Sequence, residues 1–351
     1  MSRRRTALVT AGLAAGAVAG GMVGRAVLSR HRRPDPEAFE DLAALPPEDH
    51  GPVRSFDGTQ LAVRAAGDPS SPVVVFAHGF SLDMTSWHYQ WTALSDRFRC
   101  VLMDFRSHGA SARAAGGGLS PGAFGYDLVA VLDAVVPEGR ALVVGHSMGG
   151  IAMLAAAEAR PDLFGDRLAG AVFAGTASSD LLLGAMGSIT GLLRPRLGSW
   201  RQAAERVNRL RRAVVASPAD VSHVLTRVTQ FGPDASPHLV DYVVGLAARA
   251  PSDVWTDGLA GLMDMDLRHA VLHVRVPSLV VVGEHDRVTP PASAVRLVGA
   301  MPEGRLEVIA GAGHMPMLER HDAFNAKLRA FAEETLGVRA KRENGKRKRA
   351  S

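Results

Sequence analysis

The chain has 351 residues, 47% of them hydrophobic, a formal net charge of +5 and one cysteine. That length suits one large domain, or a domain with an insertion, and buries a sizeable core without disulfides, which Cys100 alone cannot form within the chain. Residues 1–33 and 339–351 hold fourteen of the 40 Lys and Arg but one of the 35 Asp and Glu, so the body keeps 26 basic against 34 acidic residues, a net of −8. A body of that sign has no broad attraction for phosphate backbones, which excludes a general nucleic-acid binder.

In chain order, Arg3, Arg4 and Arg5 precede nineteen uncharged residues, Thr6 to Gly24, about the length of a membrane span. Gly12, Gly16, Gly20 and Gly24 recur every four residues and give a helix one smooth face for close packing. Residues 1–33 therefore read as a membrane anchor through a single N-terminal helix. Its orientation is open, because Arg25, Arg30, Arg32 and Arg33 follow the span. Two alternatives stand beside it: a cleaved export signal, with Ala17-Val18-Ala19 as processing site, and an Ala/Gly tail that does not insert. Residues 34–52, rich in prolines and acids without periodicity, read as a linker, and the basic residues 339–351 as a disordered tail able to touch anionic lipid.

From Val53, two alternating runs about Asp57-Gly58 predict a hairpin. Six short apolar runs follow, each ending in glycine or a polar cluster: PVVVFAHG, CVLMDF, ALVVGH, AGAVFAG, PSLVVVG and RLEVIAGAG. Helix-like stretches such as IAMLAAAEA and PASAVRLVGAM lie between most of them. The alternation predicts an α/β fold with a mostly parallel central sheet covered by helices on both faces. The interval from Gly175 to Val276 has no convincing strand, yet SWRQAAERVNRLRRAVVA, PADVSHVLTRVTQ and PHLVDYVVGLAARA carry helical periodicity. It is too long for a loop, so residues 176–272 are expected to form a helical cap between two parts of the core, 53–175 and 273–338.

The chemistry starts at VVGHSMGGIAML. In Gly145-x-Ser147-x-Gly149 the glycines let strand and helix approach closely around a strained serine, and the helix N-terminus offers N–H groups where an oxyanion would form. Alone the pattern is weak, since a glycine-rich strand-to-helix turn can carry an incidental serine. A hydroxyl needs a base and an orienting acid to attack near neutral pH. His314 and Asp286 supply them, each just past a predicted strand, in the chain order Ser147, Asp286, His314. The backbone N–H groups of Phe80, after the run VVVFAHG, and of Met148 are assigned as oxyanion donors, with His78 holding the loop.

With these residues in place the sequence resembles α/β-hydrolase-fold serine hydrolases of the esterase and lipase kind, over about Val53 to Leu336. The ordered pattern HGF, DFRSHGAS, GHSMGG, GEHDRVTP and GAGHMPMLE carries the resemblance, and Ser107 departs from it, since relatives usually have glycine there. The resemblance implies an ester hydrolase working through an acyl-enzyme, with no cofactor. C–C hydrolases, lactonases, thioesterases, amidases and perhydrolases share the same residues, and a non-catalytic membrane-anchored interaction protein is the rival of another class. Dehalogenase and epoxide-hydrolase chemistry is disfavoured, because relatives that perform it place aspartate where Ser147 stands.

Other residues read more plainly. Glu284 is a poor substitute for Asp286 because it sits within the strand end. Asp104 and Arg106 read as loop-holding groups, His146 as filling a variable motif position, and Cys100 as a buried strand thiol. His269 and His273 share a helical spacing but no metal-binding motif accompanies them. Leu181, Leu182, Leu183, Met186, Ile189, Leu192 and Leu193 crowd the start of the insertion, Trp255, Leu262 and Met263 recur before its end, and Met186, Met263 and Met265 read as packing in the cap's apolar interior. That composition predicts an apolar lid and a lipophilic substrate.

Overall fold

Six parallel strands, β5 (Val73–Ala77), β6 (Arg99–Met103), β7 (Ala141–His146), β8 (Leu168–Ala174), β9 (Ser278–Gly283) and β10 (Gly304–Ile309), form the body of an eight-stranded sheet. This computed structural model describes residues 35–114, 118–179, 200–215 and 219–338. The anchor-or-signal segment, the basic tail, the apolar run Leu181 to Leu193 and Met186 within it lie outside the described residues. The sheet order is β1-β4-β6-β5-β7-β8-β9-β10, with β1 (Glu48–Asp49) and β4 (Val63–Ala66) antiparallel at one edge. β2 (Val53–Arg54) and β3 (Gln60–Leu61) make the expected hairpin, turning at Gly58.

The six runs read from the sequence are these six strands. β6 to β9 are buried at every position, as strands covered on both faces must be, whereas β10 is partly open and carries Arg305 and Glu307 at the sheet edge. One core cluster includes Val75, Phe105, Phe124, Val143 and Ile151, and the other Phe76, Trp87, Val144, Leu279 and Phe324. Alternate residues of the same strands, such as Val143 and Val144, feed different clusters because successive side chains point to opposite faces.

Helix α1 (His88–Leu94) follows a short turn after β5. Helix α2 (Pro121–Val135) starts where Ser120 Oγ accepts from Ala123 N–H (3.2 Å) and Pro121 needs no donor. It packs against α3 (Met148–Ala159), which is apolar around its whole circumference and buried from Met148 to Ala157. Between β8 and β9 the described residues hold α4 (Trp200–Val215), α5 (Ala219–Gln230), α6 (Pro237–Arg249) and α7 (Leu259–Met263), with one isolated bridge, Ser179 to Asp266. Helices α8 (Pro291–Gly299), α9 (Pro316–Glu319) and α10 (His321–Thr335) complete the chain.

Residues 34–52, expected as a linker, differ from that expectation from Asp35 onward. Glu48 and Asp49 pair with β4, Leu42 is buried and its carbonyl accepts from Tyr242 (3.2 Å), and Asp35 accepts from Ser236 Oγ (2.6 Å) and His238 N–H (2.9 Å) at the start of α6. A two-residue strand, one apolar anchor and a side-chain cap leave no periodicity to read. Cys100 is fully buried in β6, and burial pushes its thiol up to about 12, as an inert strand residue requires.

Candidate active site

Ser147 stands one residue past β7, where the chain turns into α3 with φ 48° and ψ −109°. A non-glycine residue at such angles costs about 1–3 kcal/mol and persists only where its surroundings enforce it. Gly149 supplies part of that enforcement: a Cβ there would lie 2.1 Å from the carbonyl oxygen of Ala77. Ser147 N–H donates to the Ala174 carbonyl (2.9 Å), fixing the elbow to the end of β8. Among the described residues, positive φ at non-glycine positions occurs at Ser81, Ser107 and Ser147, so Ser107 takes a conformation that glycine adopts at no steric cost.

Asp286 follows β9 and His314 follows β10, and the adjacency of these strands brings the two loops together. His314 Nδ1 donates to Asp286 Oδ2 at 2.9 Å, with both side chains nearly inaccessible to solvent. Thr289 completes this arrangement. Its hydroxyl donates to Asp286 Oδ2 (2.8 Å), and the N–H groups of Val288 and Thr289 donate to Oδ1 (2.8 Å each). Burial pushes the Asp286 carboxyl up, but the charge and hydrogen bond of His314 and the donors of Thr289 outweigh it and hold the group below the usual carboxylate range. An ionised Asp286 accepts only, which favours the tautomer of His314 that carries its proton on Nδ1.

A chain neighbour of Ser147 packs against His314. The ring of His146 lies 4.9 Å from that of His314, and a Cβ on Gly175, next to the Ala174 that holds Ser147, would lie 3.2 Å from His314 Nδ1. His146 has a larger role than filling a motif position. Its Nε2–H donates to the His314 carbonyl (2.9 Å), its Nδ1 edge abuts Gly79, and burial, followed by the charge of His314, lowers its pKa to about 3, so it stays neutral.

The loop after β5 is held by two more neutral histidines. His78 Nδ1–H donates to Gly79 O (2.8 Å) while Nε2 accepts from Phe105 N–H (3.1 Å). His108 does the same between Arg106 O (2.9 Å) and Ser81 N–H (3.3 Å). Burial drives the His78 pKa well below its ordinary value and that of His108 to about 4. The 3.9 Å approach of His78 to Asp104 is therefore not an ion pair. Phe80 thus sits between two anchored residues, its ring meeting Trp255 edge-on at 5.1 Å, and Met148 holds the first helical position, where an N–H has no partner within the helix.

Asp104 and Arg106 hold loops. Asp104 accepts from Met84 N–H (2.7 Å) and Ala110 N–H (2.8 Å), and burial with the nearby Asp83 pushes it up to about 7. Arg106 is buried and bonded to Asp127, Asp57 and Ser55. Glu284 accepts from Gly311 N–H (2.9 Å). His269 precedes and His273 ends a short 3₁₀ turn (Ala270–His273), and among the described residues no group of three His, Cys, Asp or Glu is arranged to hold a metal ion.

A serine in a strained turn at the end of a central parallel strand, with an Asp–His pair on later strand ends, points to a class, and comparison with known proteins shows the family. The chain belongs to the alpha/beta hydrolase family, whose model matches residues 74–327, and it is a hydrolase. It is similar to RutD of Caulobacter sp. (strain K31), a protein named for carbamate hydrolysis, at 28% identity over 278 residues, 79% of this chain and 96% of that one. The 3-oxoadipate enol-lactonase 2 of Acinetobacter baylyi is 25% identical over 286 residues, covering 80% and 97%. A thermophilic esterase from Thermogutta terrifontis has a similar structure, with a TM-score of 0.65 over 81% of this chain and 98% of that one at 23% identity, a level that speaks for the fold alone.

Proposed function

We propose that the protein cleaves carboxylic esters through a covalent acyl-enzyme. The observation that carries this reading is the buried Asp286–His314 pair, packed against His146, whose chain neighbour Ser147 is held at φ 48°. Ser147 Oγ attacks the carbonyl carbon and His314 Nε2 takes its proton. The tetrahedral oxyanion accepts from the N–H groups of Phe80 and Met148, and the alkoxide leaves with the proton returned by His314. Water then repeats the sequence on the acyl-enzyme. Asp286 holds the imidazole in the required tautomer and stabilises its charged form.

Residues 176–272 act in this reading as a cap that favours lipophilic esters. Trp255 meets Phe80, Leu262 is buried and Met263 half-buried, and Met265 packs on the core. Each substrate methylene they bury adds about 0.8 kcal/mol, so two methylenes improve specificity by roughly 10-fold. The test is hydrolysis of a p-nitrophenyl ester series from acetyl to palmitoyl, beside lactones, thioesters and amides of matched size. Rising kcat/KM with acyl length, and esters ahead of the other classes, supports the reading. A flat or acetyl-favouring profile contradicts the apolar site, and a better lactone or thioester contradicts the choice of bond.

A further inference from the structure

The structure surrounds His314 with contacts to its backbone as well as its ring. His314 N–H donates to the Gln230 carbonyl at the end of α5 (2.7 Å), and its own carbonyl accepts from His146. The N–H groups on either side, Gly313 (2.8 Å) and Met315 (3.2 Å), both donate to Oε1 of Glu319. Oε2 of the same carboxylate accepts from Gly232 N–H at 2.6 Å, just past α5. Glu319 is 5% exposed, and its sequence neighbour Arg320 turns one guanidinium nitrogen to the Glu319 carbonyl (3.1 Å). The carboxylate is therefore bound by three backbone donors drawn from two segments 81 or more residues apart in sequence.

We propose that Glu319 is a positioning residue that fixes His314 for proton transfer and ties its placement to the helical segment between β8 and β9 through Gly232. The role in catalysis rests on the acyl-enzyme reading; the tie itself rests on geometry alone. A buried carboxylate is an expensive way to join two loops, since burial disfavours its charge, and an apolar side chain would leave three N–H groups without partners. One acceptor with two oxygens fits because both segments present donors to the same point. The segments also touch directly: a Cβ on Gly232 would lie 2.2 Å from the Gly311 carbonyl oxygen, so any movement of residues 230–232 is felt along the loop that carries His314. Placement of residues 230–232 and alignment of His314 become one event.

The experiment compares wild type with Glu319→Gln, Gly232→Ala and the double variant. Glutamine keeps one carbonyl oxygen for Gly313 and Met315 but turns an NH₂ group, a donor, toward Gly232 N–H. Alanine at 232 wedges the segments apart from the other side, so it serves alone should the glutamine variant not fold. Three quantities are read: backbone amide exchange at 230–232 and 313–315, the rate of fluorophosphonate labelling per folded molecule, and kcat and KM separately. The proposal expects faster exchange in both segments together, labelling and kcat slowed at least 10-fold with KM within about two-fold, and a double variant no slower than the worse single one, because both changes cut one link. A lower melting temperature with labelling and kcat unchanged overturns it, as does faster exchange at 313–315 alone, or single effects that multiply in the double variant. A wild-type chain that resists labelling defeats the acyl-enzyme reading, and the catalytic role of Glu319 with it, even where the two segments exchange together.

Discussion

Nδ1 of His314 and Oδ2 of Asp286 lie 2.9 Å apart at the ends of adjacent parallel strands, both shielded from solvent. Because Asp286 is held ionised and accepts only, it sets the tautomer of His314. Asp286→Asn replaces that acceptor with an amide able to donate, which favours the wrong tautomer. Turnover of an ester substrate is expected to fall about 10⁴-fold with the fold intact. Steady-state kinetics on the purified variant checks this, and a loss below 10-fold would remove Asp286 from the mechanism.

Thr289 gives a graded version of the same test. Its hydroxyl reaches both Asp286 Oδ2 (2.8 Å) and His314 Nδ1 (3.3 Å). Thr289→Val keeps the shape and loses the hydroxyl, and a hydrogen bond to a charged group is worth about 1.5–3 kcal/mol. Stability is expected to drop by that order and kcat by about 10-fold, with Thr289→Ser restoring most of both. A loss in the Ser variant with the Val variant near wild type would mean that the methyl, not the hydroxyl, matters.

Acid sensitivity follows from the buried histidines. The folded pKa values of His78, His108 and His146 lie below the ordinary 6.5, at about 4 for His108 and about 3 for His146. In the unfolded chain these groups take up protons below about pH 6.5, whereas in the folded chain they do not, so each contributes stability above that pH that is lost as pH falls toward 4 and 3. Each such proton changes stability by roughly 1.4 kcal/mol per pH unit. Asp104, raised to about 7, acts in the opposite sense, losing its contribution as pH rises from its unfolded value through 7. His88 is also lowered by burial, and Glu37 and Glu319 are raised as Asp104 is, but the four histidines take up their protons in the unfolded chain within this window and make the protein less stable at pH 5 than at pH 7. Denaturant midpoints at the two values test this, and a higher midpoint at pH 5 contradicts it.

How much of this was legible in the sequence depended on whether a residue's partner lies nearby in the chain. The strands β5 to β10 announced themselves as apolar runs closed by glycine, and the turn from β7 into α3 as Gly145-His146-Ser147-Met148-Gly149. Thr289 lay inside GEHDRVTP, where a threonine three residues after an aspartate is a local side-chain and backbone motif that could have been read. Glu319 and His146 were not legible in their roles, because their partners Gly232 and His314 stand 87 and 168 residues away and only the packed sheet brings them together. The two-residue strand β1 was lost for a different reason: its pairing uses backbone groups, and Glu48 and Asp49 resemble any solvated acidic stretch.

The N-terminal segment carries a separate expectation from sequence alone. Nineteen uncharged residues after three arginines predict that the full-length chain sediments with membranes and that removing residues 1–33 releases an active soluble enzyme. Fractionation with N-terminal sequencing decides it. An intact N-terminus in the soluble fraction contradicts the anchor, and a chain beginning near Gly20 identifies a cleaved signal instead.

The most direct test of the central claim is to react the protein with a fluorophosphonate and map the adduct by peptide mass spectrometry. The account predicts one phosphonylated residue, Ser147, with labelling and ester turnover both abolished in Ser147→Ala while its melting temperature stays that of a folded protein. An adduct on another residue, or ester turnover undiminished in Ser147→Ala, would contradict it.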